Sequence, residues 1–253
     1  MRIVRFISAL SALTLAIAIA APTPARAETI VVYGATGNIG SLIVNEALSR
    51  GHTVIGVSRD PTKFKLDDKH FKAAAGDITD VASFKKITQG ADAVIISVSG
   101  SSTDTDPKNS ITAKAARTAV EAFTGAAKSP QVIQIGGATT LAETREAVEA
   151  RLPPPAKPGT PMYASFMGHY EALEIYRASK IRWTVLTPPT TIQGWAMGKP
   201  PTPTRTGKYR TSTSGAVTDA SGKSAIDIAD LAVAAVDEAE KHRFVGQRFT
   251  VGY

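Results

Sequence analysis

From residue 29 onward, short aliphatic and β-branched runs alternate with longer stretches whose apolar positions recur at helical spacing. TIVVY at 29–33 reads as a buried strand. In NIGSLIVNEALSR (38–50), Ile39, Leu42, Ile43, Ala47 and Leu48 fall on one side of a helix, and Gly51 stands where helices commonly end. HTVIGVS (52–58) and the weaker FKAAAGD (71–77) follow as strands. Asp80 is placed to cap a helix over VASFKKIT (81–88), and AVIISVS (93–99) is a fourth strand. PKNSITAKAARTAVEAFTGAA (107–127) predicts a long helix with Pro107 near its start. QVIQIG (131–136), a helix over 163–179 and RWTVLTPP (182–189), stopped by its prolines, complete the regular part.

Strands separated by helices imply βαβ units and a parallel sheet with right-handed crossovers. The fold class expected is α/β, a doubly wound, three-layer, Rossmann-like sheet of order 3-2-1-4-5-6. Two stretches break the alternation. Residues 139–161 form an insert with room for a helix ahead of a proline-rich crossover. Residues 197–225, rich in Pro, Gly, Thr and Ser, read as loops with one hairpin, 207–210 against 215–218. Asp227 then caps a helix over 228–242, and QRFTVGY (247–253) is a last strand. No repeat and no second core is evident, so residues 28–253 are expected to form one domain, with a small C-terminal substrate-side part.

The extreme N-terminus has a different pattern. A short basic stretch, MRIVR, precedes 16 mostly apolar residues (6–21) and then Ala25-Arg26-Ala27, an A-x-A cleavage signal that would leave Glu28 as the first mature residue. The apolar run is short for a membrane span, which needs about 20 residues. The expectation is a signal peptide over 1–27 and a periplasmic or secreted protein, with the cytoplasm as the alternative if the leader is not processed. Of the net charge of +7, three positive charges (Arg2, Arg5, Arg26) belong to this acid-free leader, and +4 remains. That surplus is mild and no basic stripe with interleaved aromatics is present, so no nucleic-acid partner is expected, nor a membrane partner after cleavage. The chain has no cysteine, which excludes disulfides, thiolate metal sites and a cysteine nucleophile; no metal site is expected.

The candidate chemistry begins at GATGNIG, with Gly34, Gly37 and Gly40 between the first strand and the first helix. Gly34 permits the sharp turn, Gly37 lets backbone approach a pyrophosphate, and Gly40 lets the helix sit close on the sheet. Phosphates would meet the free N–H groups and positive dipole end of the helix. The second strand ends Ser58-Arg59-Asp60. Arg59 can pair with a 2′-phosphate, which favours NADP(H), whereas Asp60 can take a ribose hydroxyl, which leaves NAD(H) open. Asp77 suits either a contact to the adenine amine or a strand-end cap. Ser97 and Val98, within the small-residue stretch 97–100, and Gly136 in IGGA (135–138) leave room at the carboxyl ends of the fourth and fifth strands.

GATGNIG, SRDP, GDITD, DAVI and the TPP after WTVL resemble the atypical short-chain dehydrogenase/reductases, in their NAD(P)H-binding branch, closest to NADH-flavin reductases related to biliverdin reductase B. RTGKYR, DASGKSAIDIADLAVAAVDE and the closing QRFTVGY extend the resemblance over nearly all of 29–253. It implies an NADPH-dependent oxidoreductase passing hydride to a flavin or similar planar acceptor, the flavin being substrate and not prosthetic group. It assigns Gly34, Thr36, Gly37, Asn38 and Ile39 to the pyrophosphate, Arg59 to the 2′-phosphate and Asp77 to the adenine.

The catalytic pattern departs from the family. A Tyr-x-x-x-Lys pair occurs as Tyr176 and Lys180, but at the end of its helix and only twelve residues before Pro188. At the expected place stands Tyr163, with Met167 where lysine belongs, and the fifth-strand serine is replaced by Gly136-Gly137, with Thr139 and Thr140 beyond. Flavin reduction tolerates this, because stacking and orientation carry it. Tyr163 and His169 are the candidate catalytic residues, with His169 as proton donor, placed on the same helix side as Tyr163. Pro188, Pro189, Thr190 and Trp195 are candidates for the acceptor wall. The missing Tyr-Lys pair and the leader favour a second reading, an exported, non-catalytic nucleotide-binding protein. An epimerase or dehydratase would need the pair.

Overall fold

The computed structural model describes residues 26–100, 103–196 and 199–253; most of the expected leader lies outside them. The strands are β1 (Thr29–Tyr33), β2 (Thr53–Ser58), β3 (Phe71–Ala75), β4 (Ala93–Ile96), β5 (Gln131–Ile135), β6 (Trp183–Thr187), β7 (Thr191–Gln193), β8 (Arg210–Ser212), β9 (Ala225–Asp227) and β10 (Gln247–Gly252). The helices are α1 (Asn38–Ser49), α2 (Val81–Ile87), α3 (Ile111–Phe123), α4 (Arg145–Glu149), α5 (Pro161–Arg177) and α6 (Ile228–Lys241), with 3₁₀ turns at Pro61–Lys63, Pro107–Asn109 and Ala138–Leu141.

The main sheet runs β3-β2-β1-β4-β5-β6-β10-β8. Its first six strands follow the order expected from the sequence, all parallel. Alternate residues of β1 feed two cores. Ile30 and Val32 pack with Ile43 and Val44 of α1 and Leu231 and Val236 of α6, while Val31 and Tyr33 pack with Phe84, Ala119, Leu173 and Tyr176 on the other side. The three layers follow from this: a strand apolar on both faces needs a helical cover on each.

The C-terminal third differs from expectation. The hairpin 207–210 against 215–218 does not form. β8 instead pairs antiparallel with β10, matching Ser212 to Thr250 and Arg210 to Gly252. Val217 lies against Gly252, at 3.1 Å from where a Cβ would stand. The apolar edge of β10 outcompetes a local turn that has little to bury. β7 and β9 form a separate two-stranded parallel sheet that sequence periodicity did not signal, each being three residues long. The helix expected over 107–127 is shorter, because Ser110 caps α3 at Ala113 N after the 3₁₀ turn.

α1 and α6 are joined by charge as well as by apolar packing. Arg50 donates to Glu46 Oε1 (2.9 Å), Asp237 Oδ1 (2.7 Å) and Glu240 Oε2 (2.8 Å), and Arg205 grips Glu46 through two bonds of 2.8 Å. Arg205 first, and then Arg50, hold the Glu46 carboxyl below its usual range against the opposing effect of burial. Arg50→Ala leaves three largely buried carboxylates short of a partner. The expected loss is about 3 kcal/mol, seen as a fall of roughly 6–12 °C in the thermal midpoint.

Candidate cofactor and acceptor site

The turn from β1 into α1 is built by what is absent from it. Gly34 has φ +75°, and a Cβ there would overlap the backbone carbonyl of Ser97 at the exit of β4. A Cβ on Gly40 would overlap the carbonyl of Gly34, so the close approach this glycine permits is to the turn itself and less to the sheet face. Gly37 N donates to Gly34 O at 2.9 Å, and Gly37 then serves as an extended N-cap with no side-chain bond. The N–H groups of Asn38, Ile39 and Gly40 consequently have no partner among the described residues, and no acid lies in the first turn of α1. Three free donors at a helix N-terminus under bare glycine backbone fit a pyrophosphate. Thr36 is exposed beside them, and the Asn38 amide reaches Lys199 O at 3.4 Å.

At the ends of β2 and β3 the structure separates acid from base. Asp60 Oδ1 accepts from Thr62 N (3.1 Å) and Thr62 Oγ1 (2.6 Å), capping the 3₁₀ turn. Ser58 Oγ accepts from Asp60 N at 3.2 Å. Asp77 Oδ1 likewise accepts from Thr79 N and Thr79 Oγ1, both at 2.8 Å. These bonds, and then the positive charge of Arg59, hold the Asp77 carboxyl below its usual value. Arg59 itself is exposed, with no hydrogen bond or ion pair among the described residues. Each acid spends one carboxylate oxygen on its own turn, and Arg59 has no such bond among the described residues.

Ser97 N donates to Tyr33 O (2.9 Å), continuing the β1–β4 ladder, and Val98 is half-buried beside Gly34. Gly136 N donates to Leu186 O at 2.8 Å, and a Cβ on Gly136 would stand 3.0 Å from Val185 Cγ1. On Gly137 a Cβ would stand 2.7 Å from His169 Cδ2. The place where the family keeps a serine is therefore filled by the His169 ring, which crosses from α5. Thr140 Oγ1 donates to Gly137 O (2.8 Å) and pairs with Thr187 Oγ1 (2.8 Å). Thr187 was not singled out from the sequence; its signal was its position, one residue ahead of the two prolines closing β6.

The two catalytic candidates part company. Six residues along a helix amount to a rotation of about 240° beyond one full turn, so Tyr163 and His169 do not share a face. Tyr163 OH donates to Glu149 Oε1 at 2.6 Å and lies 3.5 Å from Arg145 Nη2. Burial first, and then that bond, raises its pKa. Its proton is committed to Glu149, which makes it a poor acid. His169 Nδ1 is sealed and has no partner, and burial pushes its pKa down to about 4. It is a neutral imidazole at neutral pH. Thr139 Oγ1, two residues beyond Gly137, is also buried without a partner. Tyr176 is a core residue: its hydroxyl donates to Gln134 Oε1 at 2.8 Å and its ring stacks on Trp183. Among the expected wall residues, Pro188 and Pro189 are buried, Thr190 is tied to Ser224 O, and Trp195 is 44% exposed.

A family described as NAD(P)H-binding matches residues 34–239, the span from the first glycine of the cradle almost to the end of α6. The chain belongs to that family. The glycine cradle and the sheet order agree with that membership. The fold is shared with a candidate exported protein of Burkholderia pseudomallei, which is 29% identical with a TM-score of 0.69 and is aligned over 89% of this chain and 100% of that one. A candidate epimerase of Bacteroides thetaiotaomicron is also 29% identical, with a TM-score of 0.71 over 90% and 98% of the two chains. A candidate NADH-flavin reductase of Streptococcus pneumoniae, 24% identical with a TM-score of 0.69 over 89% and 99%, shares the fold.

The half-buried His169, with its Nδ1 sealed, carries a checkable consequence. A histidine whose folded pKa lies below its unfolded value weakens the fold as pH falls through the unfolded value near 6.5 toward the folded one near 4. His169 should titrate near 4 in an NMR pH series, not near 6.5. In His169→Gln, the stability difference from wild type should change across that interval.

Proposed function

We propose that the protein is an NADPH-dependent reductase that passes hydride to a flat, conjugated acceptor, a free flavin being the class in view. The observation that carries this reading is the pairing of an uncapped glycine cradle with an unpaired Arg59 at the end of β2. Both neighbouring acids, Asp60 and Asp77, are drawn into turns, so the group facing the ribose is a guanidinium, suited to a 2′-phosphate.

When bound, the nicotinamide would supply a hydride. The chain's own part is to bind, orient and exclude water. Asn38, Ile39 and Gly40 would hold the pyrophosphate through their N–H groups. Ser97 and Val98 would floor the nicotinamide side, and the Gly136-Gly137 backbone would let a ring approach β5. His169 would border the acceptor as a neutral group, and exposed Trp195 offers a stacking surface for it. No side chain supplies the tyrosine–lysine acid pair of the family: Tyr163 is engaged by Glu149, and residue 167 is a buried methionine. That favours an acceptor needing little protein acid and disfavours sugar epimerisation, despite the epimerase likeness. The name of the streptococcal neighbour agrees with a flavin acceptor.

The leader pattern and the likeness to a candidate exported protein support export through cleavage after Ala27. A second reading, an exported nucleotide-binding protein without turnover, is favoured by the same engaged Tyr163.

The mature chain should bind NADPH with a rise in nicotinamide fluorescence, and added FMN should then cause NADPH absorbance to fall steadily. Binding without that fall selects the second reading. Arg59→Ala should weaken NADPH binding about tenfold or more while changing NADH less than twofold. Equal losses for both nucleotides would remove the 2′-phosphate assignment.

A further inference from the structure

We propose that cutting the leader after Ala27 completes the fold: the new α-ammonium of Glu28 docks in a site formed by His52, Asp92 and Glu240 and fastens the start of β1. The proposal rests on the export reading for the cut itself, but the docking can be tested apart from it.

Ala27 is exposed, and the Arg26 side chain is 85% exposed with only a 3.9 Å ion pair to Asp92. Hydrogen bonding to the fold begins one residue later. Glu28 N donates to His52 Nδ1 (3.1 Å), Glu28 O accepts from Thr53 N (2.9 Å), and Thr29 N donates to Asp92 Oδ2 (2.9 Å). Among the described residues, the first with a backbone hydrogen bond to the fold is therefore the one that follows the cleavage signal read from the sequence. His52 is 1% exposed and bonds Glu240 Oε1 through Nε2 at 2.9 Å. Because Nδ1 accepts, the proton sits on Nε2 and is donated to Glu240. Glu240 is in turn bonded by Arg50.

The site is short of donors and rich in acid. Glu28 Oε2 is buried without a partner. Burial raises the Glu28 carboxyl pKa first; Asp92 and Glu240 push the same way, while His52 and Arg26 oppose. As an amide, Glu28 N has one proton, already given to His52. Hydrolysis breaks the Ala27–Glu28 C–N bond, places the hydroxyl of water on the Ala27 carbonyl and its hydrogen on Glu28 N, which takes up a further proton near neutral pH. The nitrogen then carries three donors and a positive charge. Two of the donors are new, and they arise on the residue whose own carboxylate oxygen lacks a partner.

The same cut removes Arg26. Local charge is conserved but relocated, from a solvated side chain whose ion pair contributes little to an atom already in hydrogen-bond contact with the fold. A cation held among carboxylates has its pKa raised above the ordinary α-amine value near 7.7. Its stabilisation is present in full below that value and is lost as pH rises through the folded one.

The test compares thermal unfolding of residues 28–253 with a free α-amine, the same chain N-acetylated, and residues 26–253 retaining Arg26 and Ala27. At pH 6.5 the free amine should melt about 2–4 °C above both others, and the gap should close by pH 10. Asp92→Asn, a half-buried position outside the cofactor cradle, should shrink the gap; it serves in place of His52→Gln if that variant does not fold. Equal midpoints at pH 6.5, or a gap that persists at pH 10, would overturn the docking. Separately, N-terminal peptide mass from the periplasmic fraction should give Glu28. An intact leader or a cut elsewhere would overturn the export reading and the maturation step while leaving the melting comparison interpretable.

Discussion

The tight turn between β1 and α1 is the constraint on which the rest of the site depends. Two backbone stretches pass where no side chain fits: the carbonyl of Ser97 against Gly34, and the carbonyl of Gly34 against Gly40. These contacts fix where β4 ends relative to β1 and where α1 starts. They also leave the first N–H groups of the helix uncapped. A side chain at either glycine would push α1 off the turn and disperse the donors. The free donors are thus a by-product of close packing, left by a turn (34–40) that carries no charged side chain.

Charge is instead placed around the periphery, and its arrangement is consistent from one region to the next. Asp60, Asp77 and Asp80 all accept backbone N–H groups in turns or caps, while Arg59, exposed at the end of β2, has no hydrogen bond among the described residues. Elsewhere, Glu46, Asp237 and Glu240 gather around Arg50, which ties α1 to α6. Arg205 ties the loop after β7 to that pair through Glu46, and Thr206 and Gly207 donate to Asp230 on α6. The segment is thus fastened to the last turn of α1 through Glu46 and to α6 through Asp230, while the Asn38 amide meets Lys199 O at the start of α1.

At the acceptor side the chemistry expected of the wider family has been replaced by packing. The His169 ring occupies the space a serine would need at Gly137, Met167 is buried where a lysine would stand, and Tyr163 is committed to Glu149. These changes reinforce one another. A neutral imidazole beside a glycine ridge carries no positive charge with which to stabilise a developing oxyanion.

Much of this was legible in the sequence, for local reasons. The six-strand order, the glycine cradle, the caps at Asp80 and Asp227 and the helical periods all depend on residues within a few positions of one another, where propensity and spacing operate. Asp60 and Asp77 each cap a turn through the threonine two residues on, Thr62 and Thr79, an outcome that spacing had left open beside a ligand contact. Most of what else the sequence left open depended on partners far along the chain. The pairing of β8 with β10, in place of a local hairpin, was set by an edge 38 residues or more away. The divergence of Tyr163 and His169 was legible in their six-residue spacing; that His169 fills the serine's place and that Glu28 N meets His52 could not be read from pattern, because burial and hydrogen-bond satisfaction are properties of three-dimensional neighbours.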